Sequence, residues 1–168
     1  GMMDSIVTVT MNPTIDMSMH VKRIGPNRKL RGNSPRYDPG GGGINVSRVI
    51  RELGGESRVM YTCGGPFGEI LTNLLENRGM NPANIPIKKW TRENVTAYED
   101  KSGDQYRFGM PGPELAEEEW QKMLEDIKKL RPAPDYIVGS GSLPPGVPED
   151  FYAQLAEIAT KMKSRMVI

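Results

Sequence analysis

The chain of 168 residues is short of several things, and each shortage removes a class of protein. It has one cysteine, Cys63, so no internal disulfide is possible. A secreted disulfide scaffold is excluded, and a reducing cytoplasm is the expected compartment. It has one histidine, His20, which argues against a zinc centre and against a His-based nucleophilic triad. No apolar run approaches the length of a bilayer span, so no membrane contact is expected. Charge of one sign is also missing: 22 Lys and Arg face 21 Asp and Glu, for a net charge of +1. That is not the balance of a protein built to grip nucleic acid. No secretory leader is expected, because the apolar stretch at 5–11 is short and has no basic flank. Gly1 ahead of Met2 reads as a cloning remnant and takes no part in the fold argument. Small residues are plentiful instead. The 19 glycines and 14 prolines cluster rather than spread, as in a globular chain with built loops.

Along the chain, strand-like and helix-like stretches alternate. Residues 5–10 are rich in β-branched side chains and lack a helical period, as in a buried strand ended by Asn12-Pro13. Residues 15–37 alternate loosely around Gly25-Pro26-Asn27, which reads as two strands with one wet face. After Gly40–Gly43 comes helical spacing: Val46, Val49, Ile50 and Leu53, stopped by Gly54-Gly55. A strand at 58–62, a helix from Phe67 closed by Gly79, and a short strand at 85–88 follow. Residues 94–100 and 105–110 flank a Lys-Ser-Gly-Asp turn, as in a hairpin. The spacing predicts a helix over 115–130, a strand over 135–139 and a helix from Pro148 to about Lys163. The last strand begins at 164, with nothing after it to cover it, which reads as a truncated chain. The pattern is that of an α/β fold with a parallel sheet covered on both faces, plus a separate small β layer made by the two hairpins.

Four features bear on chemistry. The Gly40–Gly43 run lets backbone approach a ligand closely, and the helix start offers unpaired N–H groups, with Asn45 adding an amide. It suits an anion or a sugar, or is simply a flexible strand-to-helix turn. It is neither a Walker A loop nor GxGxxG. Asp16 shortly after the first strand could accept hydrogen bonds from paired hydroxyls, although alone it reads as a solvated turn acid. Lys22, Arg23, Arg28, Lys29, Arg31, Arg36, Arg92 and Arg107 suggest a local phosphate site set in a mostly solvated β face. The small residues of 139–146 follow a strand, where open α/β sheets bind ligands, or else form an ordinary loop. His20 reads as a surface residue, Cys63 as a packed small hydrophobe, and Trp90 and Trp120 as packing residues.

Taken in order, TMNPTID at 10–16, PGGGGINVSR at 39–48, LGG at 53–55 and GGPFG at 64–68 resemble the PfkB (ribokinase-like) family of sugar kinases. So do WTREN at 90–94, YRF at 106–108, MPG at 110–112 and SGSLPPG at 140–146. KLR at 29–31, GGGG instead of GGKG, and QYRF at 105–108 resemble the members that act on fructose 6-phosphate. The resemblance implies a Rossmann-like ribokinase fold with a small β-sheet lid. Residues 2–168 would be the N-terminal part of such a kinase domain, with lid insertions at about 15–37 and 94–110 and the sheet incomplete. It implies phosphoryl transfer from ATP with Mg2+ to fructose 6-phosphate, giving fructose 1,6-bisphosphate. The alternatives are a 1-phosphofructokinase or tagatose-6-phosphate kinase, or a non-catalytic sugar-phosphate-binding module. By matching position, Asp16, Gly41, Gly42 and Asn45 would hold the sugar, and Arg92 and Arg107 its phosphate. Ser142 would sit near the same pocket, and Lys29 would be a phosphate or interface residue. Gly42 occupies the place of a substrate-facing Lys in GGKG relatives. A lid-to-lid homodimer is the implied partner. The family's catalytic Asp lies in a Gly-Ala-Gly-Asp motif, which these 168 residues do not contain, so no catalytic residue is expected in this chain, and the chain alone is expected to be inactive.

Overall fold

The structure, a computed structural model, describes residues 5–168; Gly1, the cloning remnant of the sequence reading, lies outside the described residues. Strand β1 (Ile6–Thr10) is buried along nearly its whole length. It is the middle of a five-stranded parallel sheet ordered β5-β4-β1-β8-β9, with β4 at Arg58–Cys63, β5 at Asn81–Pro86, β8 at Tyr136–Gly139 and β9 at Arg165–Val167. A strand wetted on neither face needs apolar or hydrogen-bonded side chains on both, and β1 supplies them. Val7 and Val9 point into one cluster with Met60, Ile137, Met123, Ile127, Phe151 and Leu155, under helices α3 (Glu117–Lys128) and α4 (Phe151–Met162). On the other face lie α1 (Gly42–Glu52) and α2 (Gly65–Asn77), above Ile44, Val59, Tyr61, Leu71 and Leu75.

Helix α1 does not use the face that its hydrophobic spacing predicts. Its buried residues are Gly43, Ile44 and Ser47, while Val49 is 53% and Leu53 83% exposed. The reason lies in β1, whose second face carries Thr8 and Thr10. The Thr8 hydroxyl pairs with that of Ser47 at 2.7 Å. A Cβ on Gly43 would stand 2.5 Å from Thr10 Oγ1 and 2.8 Å from the Val9 carbonyl, so the helix closes on the strand through small residues.

Two other local expectations are corrected. The edge strand β5 spans Asn81–Pro86 rather than 85–88, since Pro82 and Pro86 are tolerated where only one side pairs. Pro148 is not the first residue of α4. Its carbonyl accepts from Phe151 N–H at 3.0 Å in a preceding turn, and Asp150 is the N-cap.

The second sheet holds four strands in the order β3-β2-β6-β7: β2 at Thr14–Val21, β3 at Asn33–Gly40, β6 at Arg92–Glu99 and β7 at Gln105–Phe108. Each expected hairpin is present, antiparallel, and the two join through a parallel β2–β6 pair in the register Asp16↔Asn94 and Ser18↔Thr96. Side chains directly paired share a face and alternate along each strand. One face therefore carries Asp16, Ser18, Asp38, Asn94, Thr96 and Arg107, and the other Met17, Met19, Tyr37, Val95 and Phe108. Helix α2 packs against β2 and β3 and so ties the two sheets together. No helix among the described residues is long and apolar enough to cross a membrane.

Candidate functional site

The glycine loop and the 139–146 loop meet where β1 and β8 end, at the carboxyl edge of the parallel sheet. Gly41 is the N-cap of α1 at φ 118°, a conformation that suits glycine, and its carbonyl accepts from Asn45 N–H at 2.8 Å. A Cβ on Gly42 would run into the backbone of Ser140 and Gly141. Glycine at this position lets the two loops touch.

Asn12 is buried just beyond β1. Its Nδ2 donates to the Pro111 carbonyl and to Ser142 Oγ, each at 3.1 Å. Arg92, from the start of β6, donates through Nη2 to the Asn12 carbonyl at 2.9 Å and through Nη1 to the Met110 carbonyl at 2.6 Å. Asn12 Oδ1, Thr10 Oγ1 and Arg92 Nε are buried without a hydrogen-bond partner among the described residues. Orphaned polar atoms are costly in a folded interior. Here all three belong to one junction, where the 10–16, 90–94 and 110–112 segments come together.

Beside that junction the polar face of the second sheet forms the wall of a cavity of about 300 Å³, lined by Asp16, Asp38, Arg48, Asn94, Thr96 and Arg107 among others. Burial pushes the Asp16 carboxyl above its ordinary value and nearby Asp38 adds to this, while the Thr14 hydroxyl, Arg92 and Arg107 oppose it. A Cβ on Gly40 would overlap the Asp16 carboxylate, so glycine there gives that carboxylate its place.

Of the residues singled out in the sequence, Asp16 and Arg107 share this cavity, and Gly41, Gly42, Asn45 and Ser142 gather at the loop junction. Arg92 joins the two, with both terminal nitrogens engaged by carbonyls. Lys29 lies in the exposed connection between β2 and β3 and does not line the cavity. His20 is exposed on β2, as expected, and its Nδ1 lies 3.0 Å from Asp100 Oδ1. Cys63 is buried, as expected. Trp90 is less buried than a packing residue should be, at 60% exposed, with an edge contact to Phe67. Asn12, Asp38, Arg48 and Asn94 were not singled out by sequence. Asn12-Pro13 reads as a strand terminator, and the clue available was an Asn directly after a buried strand. Among the described residues no group of three His, Cys, Asp or Glu side chains is placed to hold a metal ion.

A parallel sheet flanked by helices, with a second sheet walling a polar cavity beside its carboxyl edge, defines an α/β protein of two sheets. The model of pfkB family carbohydrate kinases matches residues 4–168, and the chain belongs to that family. It is 40% identical over 163 residues to ATP-dependent 6-phosphofructokinase isozyme 2 of Mycobacterium tuberculosis, covering 97% of this chain and 48% of that protein. To the isozyme 2 of Escherichia coli it is 39% identical, covering 52% of it. To the 1-phosphofructokinase of Bacillus subtilis it is 32% identical, again covering 52%. It superposes with a TM-score of 0.90 on Escherichia coli phosphofructokinase-2 in complex with fructose 6-phosphate, at 39% identity, covering 98% of this chain and 54% of that one. The chain thus spans about half the length of the relatives it matches.

Proposed function

We propose that this chain is the sugar-binding part of an ATP-dependent kinase that phosphorylates fructose 6-phosphate to fructose 1,6-bisphosphate. The observation that carries the reading is the cavity in which Asp16 of β2, Asn94 of β6 and Arg107 of β7 converge on one face of the second sheet. A carboxylate and an amide suit a polyol, and an arginine fork suits a phosphate dianion. Asp16 accepts hydrogen bonds from sugar hydroxyls and orients the ring. Arg107 grips the 6-phosphate, with Arg92 beside it. Gly41, Gly42, Asn45 and Ser142 form the rim toward the reacting hydroxyl. Positioning and charge neutralisation are the main demands of phosphoryl transfer, and these residues meet the sugar side of them. MgATP supplies the phosphoryl group when bound to the full-length protein.

The second sheet serves as a lid, and its apolar face is the surface for a homodimer in the cytoplasm. Tyr37, Tyr106 and Phe108 are exposed on its edge strands, and a small sheet wet on its apolar face gains from a partner.

Titration calorimetry of the chain with fructose 6-phosphate, fructose 1-phosphate and fructose tests the reading. Binding is expected in that order of falling affinity. Preference for fructose 1-phosphate would favour a 1-phosphofructokinase, the activity named for the Bacillus subtilis relative. Absence of binding by all three would overturn the sugar-binding role.

A further inference from the structure

Asp16 and Asp38 are directly opposite each other on β2 and β3, so two carboxylates share one face and one cavity. Like charges facing across strands destabilise a sheet. Their treatment is unequal. Asp38 Oδ1 accepts from Arg78 Nη2 at 2.5 Å and Asp38 Oδ2 from Arg36 Nε at 2.9 Å, while Asp16 makes no ion pair among the described residues. Arg78 belongs to neither strand. It is the C-cap of α2, in the other layer of the molecule, and its Nη2 also reaches the Tyr37 carbonyl at 3.4 Å. Arg36 is far more exposed than Arg78, so solvent screens it more strongly and Arg78 is the main counter-charge.

We infer that Arg78, acting through Asp38, is a positioning residue for the cavity: it neutralises one carboxylate of the facing pair so that Asp16 stays unpaired and ionised for sugar hydroxyls. The inference rests on the sugar-binding reading for its consequence, though not for its physics. Without Arg78, the charge of Asp38 bears on Asp16 with only the more exposed Arg36 to offset it. The other groups facing them are fixed by the fold. Arg48 of α1 lines the cavity with its Nη1 on the Pro39 carbonyl, Arg92 and Arg107 lie near Asp16, and the Thr14 hydroxyl is adjacent. The shift in Asp16 already owed to burial and to Asp38 points the same way.

The test is the carboxyl-carbon NMR titration of Asp16, identified by its loss in Asp16→Asn, in the unmodified chain and its variants. Arg78→Met is expected to raise the Asp16 midpoint by about one unit. Arg78→Lys keeps the charge and is expected to hold the original midpoint. Adding Asp38→Asn to Arg78→Met is expected to reverse the rise. An unchanged midpoint in Arg78→Met, or a rise that survives Asp38→Asn, overturns the inference. If Arg78→Met does not fold, Asp38→Asn alone decides: it is expected to lower the Asp16 midpoint, and no change overturns the proposal. Calorimetry with fructose 6-phosphate adds the consequence. The ratio of its Kd at pH 5 to that at pH 7.5 is expected to rise severalfold, up to about tenfold, in Arg78→Met. If the unmodified chain binds no sugar phosphate, the functional reading fails, while the titration still decides this inference.

Discussion

Arg92 Nη2 donates to the carbonyl of Asn12 at 2.9 Å, which ties the first residue of β6 to the end of β1. Through Nη1 the same guanidinium holds Met110, so one side chain joins three segments of the site. Arg107, on β7, carries no such duty among the described residues. The two arginines are therefore expected to separate under substitution. Arg92→Ala should lower both thermal stability and affinity for fructose 6-phosphate, since each charge-assisted hydrogen bond contributes about 1.5–3 kcal/mol. Arg107→Ala should leave the melting temperature nearly unchanged and weaken fructose 6-phosphate by about tenfold or more, with little effect on fructose. Equal losses on both sugars in Arg107→Ala would show that this arginine does not hold the phosphate.

The glycines at 40 and 42 make different predictions from the same run. A methyl at 42 collides with the Ser140–Gly141 backbone, which is not a flexible neighbour. Gly42→Ala is expected to cost about 1–3 kcal/mol by urea unfolding, as for other overpacked sites. A methyl at 40 collides with the Asp16 carboxylate. Gly40→Ala should therefore weaken fructose and fructose 6-phosphate alike in calorimetry. A loss confined to the phosphorylated sugar would contradict the role given to Asp16.

Asp16 predicts a pH dependence with a definite sign. Its carboxyl is raised above the ordinary value by burial, so the folded chain holds that proton more tightly than the unfolded chain. Folding is then penalised by ionising Asp16 at neutral pH, and the penalty disappears as pH falls below the ordinary carboxylate value. Asp16→Asn should be more stable than the unmodified chain at pH 7, with the advantage shrinking towards pH 4, while sugar binding is lost. Melting curves across that range check it. An advantage that grows on acidification would reverse the sign and rule out the account.

The apolar face of the second sheet predicts association. Phe108 is 57% exposed on β7, in the same row as Val95, Met17 and Tyr37. Light scattering at micromolar protein is expected to give a dimer, and Phe108→Glu a monomer with an unchanged circular dichroism spectrum. A monomeric mass for the unmodified chain would leave that face without its proposed partner.

The order of the elements and the chemistry of the loops were legible without coordinates. The β-branched run of β1 and the glycine run into α1 are local signals, governed by periodicity and turn chemistry, and the motif order carried the family. Asp16, Arg107 and Ser142 could be named as candidates from the same motif order. Tertiary structure decided what depends on a distant neighbour. Nothing within residues 42–53 reveals that α1 would bury Gly43 and Ser47 and leave Val49 and Leu53 outside; the threonine face of β1 imposes that. The parallel pairing of β2 with β6 joins strands about seventy residues apart, and no turn connects them to set a register. Arg78 lies forty residues from Asp38 and in another layer, so its pairing exists only once α2 packs on β3. Periodicity fixes which side chains share a face, whereas the surface that face meets is chosen by packing, because burial is a property of pairs of elements.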